Sequence, residues 1–419
     1  MDIKSVYRKL MNFTSFKSNS ILFVSSPGRI DLLNTHQDYK GLPVVPVAIK
    51  LRCYALGYRN NTSNIVNFTS LNMFESNLDY FDSFDLLNFN LIGGGWFGDY
   101  VRAVFKVLMN LGFRIEGMDI VLWSEIPIGS GLSSSAAFET SIVKLVSEVY
   151  NLELSKNLIA EISYKAEHDI MGIPCGRLDQ YSCSYGGMIL LYPKPPCKVE
   201  ILPTNNFLFV IADSGIHRRI INIHPIRQSE INNALKILLD EVKVSEPLRS
   251  KLAYDYSEVS WMDICENDIK PYIDSLPKNL ANRLIFTIKM NISTLYAVKL
   301  IKGFKVDIDS LNRELNVQIY CRFNDVLDIL GSIINYQHEL LRDYYDVSLP
   351  KLEDIRNVMI DNGALGAKLS GAGLGGAIIG LVRDFESAEK ICRACSDYSC
   401  PLTFYSKPAE GTRIEYLYQ

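Results

Sequence analysis

The sequence has no surplus of positive charge: 43 Lys and Arg stand against 47 Asp and Glu, a formal net charge of −4. No field spreads over the whole chain that could hold a nucleic-acid backbone, so a nucleic-acid partner is disfavoured. A long apolar run is also missing. The longest small and apolar stretch, 369–382, is bracketed by Lys368 and Arg383 and falls short of the ~18 residues that a bilayer span requires, which argues against a membrane protein. The N-terminus, MDIKSVYRKLMNFTSFKSN, has no apolar signal-peptide core, and the nine cysteines are scattered rather than framed in pairs. Reduced thiols and a cytoplasmic location are therefore expected. Cys392, Cys395 and Cys400 have no fourth Cys or His close by, whereas a structural zinc site takes four ligands; a helix with partly buried thiols is the expectation. Repeats, low-complexity tracts and Pro/Gly/Ser-rich linkers are absent, so any domain junction is compact.

What is present is ordinary globular material. At 419 residues, 48% hydrophobic and 21% charged, the chain can bury a large core and form about two or three domains. Hydrophobic spacing predicts a helix near 3–10, a strand over 21–25 followed by a turn, and strands within 44–58. A helix near 100–111, a strand over 115–124 and an amphipathic helix over 134–150 follow. Residues 202–215 read as strand and 226–345 as mostly helix. The end reads as helix 351–362, a Gly-rich turn, strand 377–382, helix 386–395 and strand 401–405. Strands and helices mixed in both halves predict an α+β class with two lobes meeting over a cleft.

Four stretches carry chemistry. The first, PIGSGLSSSAA from Pro127 to Ala137, lies between a predicted strand and a long helix. Its glycines let the backbone approach a ligand closely, and the first amides of the helix point outward at the positive end of the helix dipole. An anion site fits, and the serines add hydroxyls for phosphate or Mg²⁺. The Lys of the Walker motif is missing, which excludes the ordinary P-loop. A Ser that merely caps the helix is the plain alternative. The second, Gly371-Ala372-Gly373-Leu374-Gly375-Gly376, runs into a strand rather than out of one, so it fails the context of a dinucleotide fold. It suits equally a turn packed beneath other backbone and a loop close to a nucleotide or to the first Gly loop. The third, SPGRIDLLNTHQDYKG, crowds Arg29, Asp31, Thr35, His36 and Asp38 into a loop after a strand. The fourth places Glu167 and Asp179 on either side of a Gly/Pro turn, where two carboxylates can divide Mg²⁺ binding from orienting a hydroxyl.

Together these stretches resemble the galactokinase, homoserine kinase, mevalonate kinase and phosphomevalonate kinase superfamily, the GHMP kinases. The galactokinase branch fits best. PGRIDLLNTHQDYKG is similar to that branch's signature PGRVNLIGEHTDYNG, and IPIGSGLSSSAA to its phosphate loop. EHDIMGIPCGRLDQ resembles the family stretch ending in the catalytic Asp and Gln, and residues 337–382 resemble its C-terminal region. The resemblance implies a two-lobed GHMP kinase fold. Residues 1–200 would form an N-terminal α+β lobe with the sugar and phosphate loops, and residues 201–419 a ferredoxin-like C-terminal lobe whose last strand returns to the first.

It also implies ATP-dependent phosphorylation of a monosaccharide at the anomeric 1-hydroxyl, with ATP and Mg²⁺ as cofactors. By resemblance, Asp179 faces the attacking hydroxyl and Arg29 is the cation beside it. Ser135 and Glu167 match the Mg²⁺ ligands, with Ser134 beside them. Gly129, Ser130, Gly131, Leu132 and Ser133 form the phosphate loop, and Phe97 replaces an adenine-pocket Trp, with Trp96 adjacent. On the sugar side, His36 and Asp38 hold the matching positions, but Thr35 stands where the signature has Glu and Asn34 where it has Gly. Pro225 occupies the place of a sugar-contacting Tyr. The loss of the Glu, with His217, Arg218 and Arg219 supplying positive charge on a segment that in the family borders the sugar, leaves a uronic acid open as an alternative to a neutral sugar. A non-sugar alcohol such as an inositol or mevalonate stays open too, as does a non-catalytic sugar sensor.

Overall fold

The computed structural model describes residues 2–14, 16, 20–60, 64–216, 223–319 and 325–416. Val-, Ile- and aromatic-rich segments build a first sheet. β1 (Leu22–Leu33) pairs antiparallel with β2 (Val45–Arg59). β3 (Ile65–Ser70) pairs antiparallel with β4 (Phe81–Asp85) and parallel with β5 (Met118–Ser124), which in turn lies on β2. β6 (Met188–Tyr192) joins β2 to β7 (Lys198–Leu202).

The predicted strand stops at Ser25, but β1 continues to Leu33. Its register with β2 shifts between Pro27 and Arg29 and then resumes, Arg29 facing Ala48. A proline is tolerated at such a bulge because the bond it cannot donate is one the bulge leaves unmade. Arg29 and Asp31 therefore project from a strand and not from a loop, which fixes them far more rigidly.

The second sheet contains β8 (Leu208–Asp213), β9 (Gly366–Ser370), β10 (Ala377–Val382) and β11 (Leu402–Ser406) in the antiparallel order β11-β8-β10-β9. Helices lie between β8 and β9 and between β10 and β11. This is the βαββαβ arrangement of a ferredoxin-like lobe, expanded by helices. β9 appears in the sequence only as part of a Gly-rich turn, because Lys368 breaks its apolar pattern, yet the whole strand is buried. Finally β12 (Arg413–Ile414) returns to the first sheet and pairs with Val24 and Ser25 of β1. The fold is thus α+β, two sheets with helices packed on them, as expected.

The helices that shape the site are α1 (Gly98–Asn110), α2 (Ser134–Val149), α3 (Leu178–Tyr185) and α4 (Ile223–Asp240). α2 buries Ala136, Ala137, Ile142, Leu145 and Val146, the apolar face that its spacing predicts. The helix Lys278–Ile301 is long and apolar enough to cross a membrane, but 78% of its apolar window is buried inside the protein, as in a core helix. Cys395 and Cys400 are buried and Cys392 is partly so.

Candidate active site

The turn from β5 into α2 is held open rather than capped. Gly129 and Gly131 take φ of 77° and 74°, and Ser133, at the N-cap position, is left-handed with φ 60° and makes no side-chain bond to the first turn. Its hydroxyl is buried without a protein partner. The capping role that the sequence leaves open for this serine is therefore not taken up, and the first-turn amides keep their positive end for an anion. Ser130 donates its hydroxyl to the Pro127 carbonyl at 2.8 Å. Leu132 sits in the core, its carbonyl accepting from the Arg29 N–H at 3.1 Å. Both residues offer a ligand only backbone. The turn lies tightly against β1: a Cβ on Gly28 would come within 2.7 Å of the Leu132 carbonyl oxygen.

Beside the turn is a cavity of about 280 Å³, lined by Phe97, Tyr100, Ile126, Phe138, Ser134 and Ser135 among others. Its mainly apolar and aromatic wall suits a flat ring, and Ser134 and Ser135 link it to the helix N-terminus. Trp96 is turned away, donating its indole N–H to Asp82 at 2.9 Å.

On the other side of the turn a smaller cavity, about 110 Å³, is lined by Arg29, Asp31, Thr35, His36, Asp38, Tyr39 and Asp179, with Cys175, Gly176, Leu178, His224, Gly371 and Ala372. Five residues singled out in the sequence as catalytic or sugar-facing thus meet at one place. Arg29 donates from Nε to Asp179 Oδ1 at 2.8 Å, brings a second nitrogen to the same oxygen at 2.7 Å, and donates a third bond to the Gly131 carbonyl at 2.5 Å. Burial works against its charge, but Asp179 and Asp31 more than offset this and raise its pKa. One side chain therefore joins this cavity to the Gly/Ser turn.

Asp38 is held against the start of α3, accepting from the Leu178 N–H at 3.4 Å. Gly176 makes room for it, since a Cβ there would lie 1.6 Å from Asp38 Oδ2. Burial first, then the nearby Asp179 and Asp31, push its pKa up to about 6. Above that pH both oxygens only accept bonds; below it one oxygen carries a proton and becomes a donor. We expect kcat/KM for the acceptor to fall about tenfold per pH unit below 6, with Asp38→Asn flattening that limb. A wild-type profile level down to pH 5 would contradict this.

Thr35 Oγ1 accepts from Lys368 Nζ at 2.7 Å, and the same ammonium donates to the Asp31 carbonyl at 2.8 Å. Burial lowers the Lys368 pKa to about 8, against the raising effect of Asp31. His36 bonds the Ala372 carbonyl at 3.0 Å and packs on Tyr345 and His224, ring centroids 4.8 and 5.1 Å away. Asn34 takes φ 65°, a left-handed turn that Asn tolerates where the family signature has Gly. His217, Arg218 and Arg219 lie outside the described residues. Pro225 falls on α4, and it is the preceding His224 that lines the cavity. The C-terminal Gly-rich segment combines two placements: Gly371 and Ala372 line the cavity around Arg29 and Asp179, while Gly373 and Gly375 pack beneath the Val347 and Ile216 carbonyls.

Glu167 lies in the π-helical turn Ala166–Ile170 and accepts from Gln180 Nε2 at 2.7 Å. Burial and Asp179 raise its pKa to about 7, against the lowering effect of hydrogen bonds from Ser135 and Gln180. In a nucleotide site Mg²⁺ takes one or two protein oxygens, the rest coming from phosphates and water. Ser135 and Glu167, a hydroxyl and a carboxyl side by side, fit that demand. Sequence reasoning missed Glu139, fully buried one turn along α2, where burial and Glu167 hold its pKa well above the usual range. It missed Tyr39, His224 and Lys368 as well. A Glu within an amphipathic helix and a Lys within a strand carry no local sign of their partners.

Family models match in the order that this geometry would require. The galactokinase galactose-binding signature covers residues 12–59, the GHMP kinases N terminal domain 99–187, and the GHMP kinases C terminal model 323–399. The chain is 27% identical over 401 residues to a galactokinase of Thermococcus kodakarensis, covering 93% of this chain and 99% of that one. It is 26% identical over 404 residues to a galactokinase of Pyrococcus furiosus, covering 94% and 100%. Among solved structures, Lactococcus lactis galactokinase complexed with galactose superposes with a TM-score of 0.78 at 22% identity, over 98% of this chain and 99% of that one. Methanococcus jannaschii mevalonate kinase gives 0.63 at 20% identity, over 94% and 100%. With the three family models in order along one chain, this protein belongs to the GHMP kinases, on their galactokinase branch.

Proposed function

We propose that the protein is an ATP-dependent sugar kinase that transfers the γ-phosphoryl group to the anomeric hydroxyl of a monosaccharide. The observation that carries this reading is Arg29, whose guanidinium bonds Asp179 in the acceptor cavity and the Gly131 carbonyl in the phosphate turn. Both Arg29 contacts to Asp179 fall on Oδ1, which leaves Oδ2 for the acceptor hydroxyl. As the new bond forms between the sugar oxygen and phosphorus and the bond to ADP breaks, the hydroxyl proton passes to Asp179 Oδ2. Phosphoryl transfer has a loose transition state, so positioning and charge stabilisation do most of the work. Arg29 supplies a fixed positive charge beside the transferred group. The first-turn amides of α2 and the Ser133 hydroxyl receive the phosphates, and Phe97, Tyr100 and Phe138 enclose the adenine.

Ser135 and Glu167 would hold Mg²⁺, which when bound neutralises phosphate charge. Their pairing gives an expected result: Ser135→Ala raises the Mg²⁺ concentration for half-maximal activity about tenfold and leaves the melting temperature within about 2 °C, because Ser133 and not Ser135 occupies the N-cap. An unchanged Mg²⁺ optimum together with a lower melting temperature would make Ser135 a purely structural residue. All eight described cysteines are free thiols, in keeping with work in the reducing cytoplasm. The function itself is tested by ADP release over hexoses, pentoses, uronic acids and N-acetylhexosamines. Turnover of at least one of these is expected; binding of a sugar with no turnover of any would make the protein a sensor.

A further inference from the structure

We propose that Asp31 is a specificity-determining residue whose carboxylate accepts a hydrogen bond from a ring or C6 hydroxyl of the sugar, replacing the acid that Thr35 lacks. The inference rests on the sugar-kinase reading above.

Asp31 lines the acceptor cavity and is 4% exposed. Its backbone is fully engaged from β9: the N–H donates to Ser370 Oγ at 3.0 Å and the carbonyl accepts from Lys368 Nζ at 2.8 Å. The strand is thereby pinned at Asp31. Yet carboxylate oxygen Oδ1 is buried with no protein partner. Leaving a buried acceptor unsatisfied is costly, and an atom of this kind is normally met by a water, an ion or a ligand.

A competing role for Asp31 would be only to neutralise Lys368. Lys368 does favour the charged Asp31 carboxylate through space, but among the described residues its hydrogen bonds go to the Asp31 backbone carbonyl and the Thr35 hydroxyl, and it makes no ion pair with that carboxylate. Thr35, engaged from behind by Lys368, is poorly placed to serve the sugar as its main acceptor. Against the signature PGRVNLIGEHTDYNG, position 31 changes from Asn to Asp while position 35 changes from Glu to Thr, and both residues line the same cavity. The acid has moved along the chain rather than vanished. A carboxylate on the substrate would face Asp31, Asp38 and Asp179 together, so the group expected at this end is a hydroxyl and not the carboxylate of a uronate.

The test is a deoxy-sugar scan. Steady-state kinetics are measured for the best sugar, each of its singly deoxygenated analogues and its uronate, with wild type, D31N and the D31N/T35E double variant. The D31N variant is expected to raise sugar KM about tenfold to a hundredfold, with ATP KM unchanged. At one ring position the preference of wild type for the parent over its deoxy analogue should collapse in D31N, and T35E should restore part of it. Deoxy preferences unchanged in D31N at every position would overturn the assignment and leave the kinase reading standing, as would a uronate turned over as well as its neutral parent. If D31N fails to fold, calorimetry of the same analogues on wild type decides: no position costing tenfold in affinity overturns it. Wild type turning over no sugar at all would overturn both.

Discussion

Asp179→Asn is expected to lower kcat by about a hundredfold or more, ~2.7 kcal/mol of barrier, while the KM for ATP moves less than about threefold. The asymmetry follows from where the carboxylate stands. Asp179 lines the acceptor cavity and not the larger cavity beside Ser134 and Ser135, so it makes no contact in the cavity that would take the adenine. An amide can still present an oxygen to Arg29, but its NH₂ then occupies the place of Oδ2 and donates where an acceptor is needed. The proton of the sugar hydroxyl has nowhere to go. Single-turnover kinetics with calorimetry of ATP binding separate the two effects. A variant that retained more than about a tenth of the wild-type rate would show that another group receives the proton.

The parts of this site legible in the sequence are those whose chemistry is local. The phosphate turn announces itself because glycines, serines and the following helical pattern all lie within 127–150. Asp179 and Glu167 stand out locally only as two carboxylates flanking a Gly/Pro turn, and the resemblance is what assigns each its role, since isolated carboxylates look alike. β1 shows the limit of local reading. Pro27-Gly28 followed by Arg29 and Asp31 has the composition of a turn, yet the strand continues through it, because Arg29 is neutralised by Asp179 and Asp31 is clamped by Lys368 and Ser370. Those partners lie 150, 337 and 339 residues away in the chain, beyond any window of hydrophobic spacing.

The same cause hid β9 and the state of Ser133. Lys368 makes a short strand look like a solvated turn, whereas its ammonium is fully buried and bonded to the first lobe. A serine ahead of a helix reads as a cap, and only its left-handed φ shows that the hydroxyl is directed elsewhere. In each case a rule of local propensity is broken where the site needs a polar group held rigidly, and such breaks are where function is expected.

Arg29 is where these long-range contacts converge, and replacing it should have the second largest effect. Arg29→Lys is expected to lower kcat about a hundredfold to a thousandfold with a modest loss of stability, and Arg29→Met to abolish turnover and destabilise the fold by about 3 kcal/mol. A lysine keeps the charge but is a single point with a tetrahedral set of donors, whereas the guanidinium reaches Asp179 Oδ1 with two nitrogens and the Gly131 carbonyl with a third. The ammonium can reach the carboxylate or the phosphate turn, not both, so the two halves of the reaction lose their common reference. Met removes the cation altogether and leaves Asp179, Asp31 and the Gly131 carbonyl facing one another without a donor. The measurement pairs kcat with thermal melting for both variants. If Arg29→Lys retained most of its activity, charge alone would suffice and the link between acceptor cavity and phosphate turn would be incidental. If Arg29→Met melted with wild type, the three acceptors would have found another donor, and the placement of Arg29 at the centre of the site would be wrong.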